Sequence, residues 1–306
     1  MGGVVEGFGV VALIILTGWV LAQVGLVDMS AQKVLSTMTF YVASPALLLT
    51  MLQGADVHQL FSGNLLATGG AVVVSAGIAF AISRLRRHDL GHTVITMLSA
   101  SYVNANNLGI PIATYVLGNA SASVPTLLLQ LVVIQPVALT FLDIAVAHER
   151  LSVRTVLSRP FRNPMTLGSA GGLLLALTGW RLPTLVHDPL AIIGGMSVPC
   201  MLIAYGISLR LGPLPGRGVP PVELGSIVVL KMVVQPLAAY AIGRFLLGFE
   251  GHDLLAVTVL SALPTAQNVF VMSVRYNRSV VLARDAIFVN TFGAIPVLLT
   301  IAALLA

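Results

Sequence analysis

Apolar stretches of about 20 residues, each long enough to cross the hydrocarbon core of a bilayer, recur along the whole of this chain. In the first half they lie near Val4 to Ala22, Ala31 to Gln53, Asn64 to Ser83, Thr93 to Gly118 and Val124 to Ala147. In the second half they lie near Pro164 to Trp180, Pro189 to Leu209, Leu224 to Leu247, Leu254 to Ser273 and Val280 to Leu304. Only 27 of 306 residues are charged, 9%, against about 25% in a typical soluble protein. A water-facing surface cannot be built from that supply. The expectation is an all-α polytopic membrane protein with ten transmembrane helices.

The most polar stretch runs from 148 to 163, HERLSVRTVLSRPFRN, and reads as a basic cytoplasmic linker between a first five-helix repeat, 1–147, and a second, 164–306. Lys and Arg set orientation, and acidic residues contribute little. One set of loops carries 13 of the 16 basic residues: Lys33, Arg84, Arg86, Arg87, Arg150, Arg154, Arg159, Arg162, Arg210, Arg217, Arg275, Arg278 and Arg284. The opposite set carries Arg181 and Arg244 alone. The Arg-rich loops are therefore expected in the cytoplasm, and both termini outside the plasma (bacterial inner) membrane. The net charge of +5 does not point to nucleic acid, because the basic residues are dispersed and lack aromatic stacking partners. The N-terminus has Glu6 where a cleaved signal would be positive, so it reads as the first span. Cys200 is alone and cannot form an intramolecular disulfide.

Five spans per half is an odd number, so related halves must lie upside down relative to one another. Thr96-Met-Leu-Ser-Ala100 recurs as Thr258-Val-Leu-Ser-Ala262, which also places Asn106 on Asn268. Pro45 and Pro199, and likewise Pro136 and Pro296, stand in corresponding spans. These matches support an inverted repeat, a common plan of secondary transporters.

The fourth span has a polar middle containing Asn104, Asn106 and Asn107, followed by Gly109 and Pro111. Proline removes an N–H and displaces the carbonyl four residues back, and glycine adds freedom beside it. Backbone left unpaired at bilayer depth must be shielded by protein or line a wet cavity. The ninth span supplies Pro264, Gln267 and Asn268 at the place the repeat predicts. Two broken helices, with amide donors and positive half-helix N-termini, suit a carboxylate. Neither brings an acid of its own: there is no Asp or Glu from Leu90 to Leu142 or from Leu254 to Arg284. Lys231, within the eighth span, reads as the one deeply placed charge and as a counter-charge to an anion or a stand-in for a cation. The prolines at 45, 136, 199, 236 and 296 read as kinks, and Asp143 as interfacial. His88 and His92 share i, i+4 spacing but show no third ligand in sequence, so no metal is expected, and no cofactor or catalytic motif is found. Asn119-Ala-Ser matches a glycosylation sequon.

With these features located, the whole layout resembles the auxin efflux carrier family. The resemblance rests on Asn104-Ala-Asn-Asn-Leu-Gly-Ile-Pro111, on Ala262-Leu-Pro264 leading to Tyr276-Asn277, and on Lys231-Met-Val-Val-Gln-Pro236. It implies a five-plus-five inverted repeat of the sodium/bile-acid symporter type. Helices 1, 2, 6 and 7 would form a scaffold, and helices 3 to 5 and 8 to 10 a transport domain that moves like an elevator. Helices 4 and 9 would cross at their breaks, with a substrate carboxylate held beside them. Asn104, Gly109 and Pro111 match the helix 4 motif, Pro264 that of helix 9, and Lys231 that of helix 8. The chain departs from plant members by having Val269 at their crossing proline, and by lacking their long cytoplasmic loop. The resemblance to bacterial members implies an organic anion such as malate or malonate.

The expected function is secondary or facilitative transport of a small organic anion, bound by Asn104, Asn106, Asn107, Gly109, Pro111, Pro264, Gln267, Asn268 and Lys231. The competing expectations are a sodium-coupled symporter of the bile-acid type and a membrane enzyme or sensor without transport. Expected partners are the anion and the lipid bilayer, with homodimerisation open.

Overall fold

A computed structural model describes residues 2–55, 63–109, 112–114, 117–118, 120–147 and 162–305. Among these residues every regular element is helical, and the β-type pairing is an isolated bridge between Val103 and Thr265. The helices are α1 (Gly2–Gln23), α2 (Met29–Leu52), α3 (Gly63–Leu85), α4 (Leu90–Ser101), α5 (Val124–Ala145), α6 (Pro164–Thr178), α7 (Thr184–Leu211), α8 (Pro221–Leu246), α9 (Gly251–Ser261), α10 (Asn268–Tyr276) and α11 (Val280–Leu305). Of the linker read at 148–163, residues 148–161 lie outside the described residues, as do Pro111 and Asn119.

Helix ends follow local chemistry. Asp28 caps α2, its Oδ1 accepting from the backbone N–H groups of Ser30 and Ala31 at 2.9 and 3.0 Å. Asp89 caps α4 by accepting from His92 N at 3.0 Å, and Asn163 caps α6 by accepting from Met165 N at 3.1 Å. Gly179 and Asn277 close α6 and α10 in the left-handed region, with φ of 67° and 49°.

Proline explains three of the four irregular turns within the long helices, the exception being Ile242–Leu246. Pro45, Pro136 and Pro236 each stand two residues after a wide π-type turn, at Thr39–Ala43, Gln130–Ile134 and Leu230–Val234. A proline offers no N–H to the preceding turn and crowds its carbonyl, so the helix widens instead of breaking.

Among the described residues six helices are long and apolar enough to span a membrane: α2, α3, α5, α7, α8 and α11. Phe8–Gln23 and α6 are apolar but shorter. The fourth and ninth apolar stretches fall short because each is interrupted: α4 stops at Ser101 and α9 at Ser261. Large apolar side chains cover the outside, among them Leu13 at 65%, Ile192 at 74% and Phe245 at 77% exposure, which water would penalise and lipid does not. The chain is a multi-pass membrane protein.

Two sets of helices pack most closely among themselves. In the first, α1 lies along the second half of α7, and α6 along the second half of α2. Small residues permit this: a Cβ added at Gly206 would overlap the Ile15 carbonyl oxygen, and one at Gly168 would overlap the backbone of Pro45. In the second, α3 packs on α4 and α8, α8 on α9, and α9 on α11.

Burial corrects the reading of Lys231 as the one deeply placed charge. Lys231 is fully buried, but Glu223, Arg284 and Asp285 are 5%, 1% and 0% exposed. Arg284, counted above among the loop charges, lies in the first turns of α11 and donates from Nε to Asp285 Oδ1 at 2.7 Å and from Nη1 to the Ser208 carbonyl at 3.2 Å. Pairing makes such burial tolerable.

Candidate functional site

The polar middles of the fourth and ninth apolar stretches come together. After α4 the chain turns extended at Tyr102, with φ −83° and ψ 105°, and runs antiparallel to the segment between α9 and α10. Asn104 N donates to the Pro264 carbonyl at 2.8 Å, and Ala266 N donates to the Tyr102 carbonyl at 3.0 Å. Each interrupted helix thereby satisfies the other's exposed backbone, which lipid could not do. Pro264 is compatible with this pairing because it contributes a carbonyl, the group it retains.

Side chains extend the junction. Asn104 Nδ2 donates to Gln267 Oε1 at 2.8 Å, while Asn104 Oδ1 accepts from Asn107 N at 3.2 Å. Asn107 Nδ2 reaches the same Gln267 oxygen at 3.5 Å, and Asn106 Nδ2 donates to Asn107 Oδ1 at 3.1 Å. Leu108 and Gly109 N–H groups both turn back to the Asn104 carbonyl, at 3.2 and 3.0 Å, forming the π turn Ala105–Gly109. A Cβ at Gly109 would lie 3.1 Å from the Leu263 side chain, so the second segment presses closely there. Thr265 Oγ1 donates to the Ser99 carbonyl at 2.6 Å and accepts from Asn290 Nδ2 at 2.8 Å, tying α11 to the junction.

Lys231 braces the crossing from behind. Its Nζ donates to the Ser261 carbonyl at 3.0 Å and to Gln235 Oε1 at 2.8 Å, and Gln235 Nε2 donates to the Ser101 carbonyl at 2.9 Å. Ser101 and Ser261 are the last residues of α4 and α9. One side chain therefore serves the carbonyl ends of two helices, directly in one case and through an amide in the other.

In front of the junction lies a cavity of about 30 Å³. Asn104, Asn106 and Asn268 line it, facing Ser44 of α2, Ser197 of α7 and Gln130 of α5. Ser44 and Ser197 share a hydrogen bond of 2.8 Å across the cavity floor. Gln130 and Gln135, both in the wall, are 2% and 0% exposed, and the Nε2 of each is buried without a hydrogen-bond partner. Unused donors of this kind are costly unless something fills them. The described wall carries no Asp or Glu. Its volume accommodates a water molecule or so, well below that of a small dicarboxylate.

From residue 4 to residue 302 the sequence matches the family described as membrane transport protein. The chain belongs to this family, that of the auxin efflux carriers. A "Putative malonate transporter" of Rhizobium meliloti (strain 1021) is 26% identical over 294 residues, covering 90% of this chain and 86% of that protein. An "Uncharacterized transporter" of Methanothermobacter thermautotrophicus is 25% identical over 288 residues, covering 92% and 91%. The chain is therefore a membrane transporter of a small molecule, not an enzyme.

Within this transporter, the residues singled out from sequence separate into three places. Asn104, Asn106 and Asn268 line the cavity; Asn107, Gly109, Pro264 and Gln267 build the junction behind it; Lys231 lies beyond the junction and outside the cavity wall. Pro111 lies outside the described residues. Sequence reasoning missed Gln130, Gln135, Ser44 and Ser197. The signal for the two glutamines was present, since amides five residues apart in an apolar span need a reason, whereas isolated serines in membrane helices carry none.

Proposed function

We propose that this transporter is a secondary or facilitative carrier of a small organic anion, a mono- or dicarboxylate, bound in front of the crossing. The observation that carries the reading is the cavity wall: buried amide donors without partners at Gln130 and Gln135, amides at Asn104, Asn106 and Asn268, and no carboxylate. A carboxylate accepts from such donors, while a cation would meet mainly their hydrogens. Asn107, Gly109, Pro264 and Gln267 shape the break, and Lys231 supplies a positive charge whose field reaches the anion through the junction. The relative named for malonate agrees with a dicarboxylate.

The architecture proposed is a ten-span, five-plus-five inverted repeat of residues 1–147 and 164–306 joined by a basic cytoplasmic linker, with both termini outside the plasma membrane. The first set of packed helices would be the scaffold, and the second set, which holds the crossing, would move against it as an elevator. Support comes from the small-residue packing within the first set and from the matching interruptions after Ser101 and Ser261. The narrow cavity lies between the two sets, where such movement would open it.

The test is counterflow in proteoliposomes. Labelled malonate should exchange for unlabelled malonate without sodium, and the same compound should raise the melting temperature of the purified protein by mass action. Strict dependence on sodium would replace this reading with a sodium-coupled symporter, and absence of exchange with any carboxylate would remove the carrier assignment.

A further inference from the structure

Three chain segments far from the crossing converge on one polar cluster. His88 lies in the turn before α4, His92 in the first turn of α4, and Glu223 in the first turn of α8. Spacing in the sequence offered two imidazoles only; the third group comes from 131 residues further on. One ligating atom from each residue lies within 4.8 Å of the others. His92 Nε2 contacts Glu223 Oε1 directly, and His88 Nδ1 stands 3.9 Å from that same oxygen. Although His88 is partly exposed, its Nδ1 is buried and has no hydrogen-bond partner. The two rings are edge to face, 4.1 Å apart at 68°.

We propose that His88, His92 and Glu223 form a binding site for a divalent transition-metal cation of the zinc class. Two imidazole nitrogens and one carboxylate oxygen are the donors such ions take, whereas magnesium and calcium prefer all-oxygen sets. Bonds of about 2.0–2.2 Å to one ion place ligand atoms roughly 3.3 Å apart. The cluster brackets that separation, with His92 and Glu223 closer and His88 farther, so small side-chain rotations suffice. The His92 ring is already oriented: its Nδ1 bonds Ser279 Oγ at 2.8 Å, leaving Nε2 for the ion, and Asp89 holds its backbone N–H at 3.0 Å. This outer support is what metal-binding imidazoles use. A fourth position is left to water.

Nearby cations temper the affinity. Arg86 acts on the Glu223 charge, and the Arg278 side chain packs against Gly91. Both oppose an added positive charge, so binding is weaker than in a closed structural zinc site. The ion would fasten the N-terminal end of α4 to that of α8, and through Ser279 to the turn before α11. Those are helices whose inner parts meet at Ser101, Lys231 and Asn290. The site is independent of the substrate proposed above.

The test uses full-length protein in detergent, stripped with a chelator and titrated with zinc or cobalt chloride. Zinc should raise the melting temperature, the chelator should reverse it, and magnesium should do nothing. Cobalt(II) should give the visible absorption of a low-coordinate site. His88→Ala keeps the contact between His92 and Glu223, so it should remain folded while losing the cobalt band and at least tenfold in zinc affinity. Glu223→Gln should do the same. A wild-type protein that binds neither metal, or variants that bind as it does, would overturn the site and leave only the hydrogen bond between His92 and Glu223.

Discussion

At the scale of single residues, the crossing separates amides that hold structure from amides that remain available. Asn104 does both: its side chain bonds Gln267 and Asn107 while its edge faces the cavity. Asn104→Ala should abolish uptake in proteoliposomes while the protein still extracts and purifies as a folded species; undiminished uptake would dismiss the assignment. Gln130 and Gln135 make a cleaner probe, because their Nε2 groups bond nothing in the protein. Gln130→Leu should weaken anion binding about tenfold, some 1.4 kcal/mol, with the melting temperature nearly unchanged, as measured by ligand-induced thermal shift. Lys231 behaves differently. Lys231→Met fills the space but leaves the Ser261 carbonyl and Gln235 Oε1 without their donor, at about 1–3 kcal/mol for each buried group. It should lower the melting temperature as well as anion affinity; loss of affinity alone would place Lys231 in direct contact with substrate.

At the scale of elements, wide π turns hold several of the residues proposed for the site. Asn106 and Asn107, Gln130 and Lys231 stand in three of the five π turns among the described residues, and Pro45, Pro136 and Pro236 follow three of the five; Ile242–Leu246 has no proline after it. Sequence reading identified these prolines as kinks; what it could not place was the side chain that each widened turn redirects. Helix contacts give a second prediction. Gly206 meets the Ile15 backbone with no room for a Cβ, so Gly206→Leu should force α1 and α7 apart and cost at least about 1–3 kcal/mol, read as a fall in detergent melting temperature. Gly225, with nothing near its Cβ position, should accept alanine without loss. Helix caps add a dependence on pH. Hydrogen bonds from Ser30 and Ala31 hold the Asp28 carboxyl below the ordinary carboxylate range. Its folded pKa lies under its unfolded one, so its contribution is complete above the unfolded value and disappears as pH falls through the folded value. Asp28→Asn should remove that acid-sensitive component from a melting series across acidic pH.

At the scale of the whole molecule, the interface between the two packed sets is where movement must be tested. Asn163, before α6, donates at 3.2 Å to Tyr276 Oη of α10, the helix that follows the crossing, and so ties the first set to the crossing. In a Cys200→Ser background, cysteines at 163 and 276 joined by a short bis-maleimide should arrest counterflow and leave anion binding measurable, whereas full transport in the cross-linked protein would exclude relative motion of the sets. The sequence by itself determined that the chain is helical and membrane-embedded, because too few charges exist to meet water and long apolar runs satisfy their backbone only as helices. It also located both interruptions, since Gly, Pro and clustered amides at bilayer depth require unpaired backbone to go somewhere. Only the tertiary structure decided where it goes: Pro264 receives Asn104, Tyr102 receives Ala266, and Lys231 serves the ends of α4 and α9. Likewise Glu223 joins two histidines more than 130 positions away, and Arg284 is buried rather than looped. Periodicity and composition describe what a segment needs from its surroundings, but partners brought together across more than a hundred residues are chosen by packing, which no local pattern encodes.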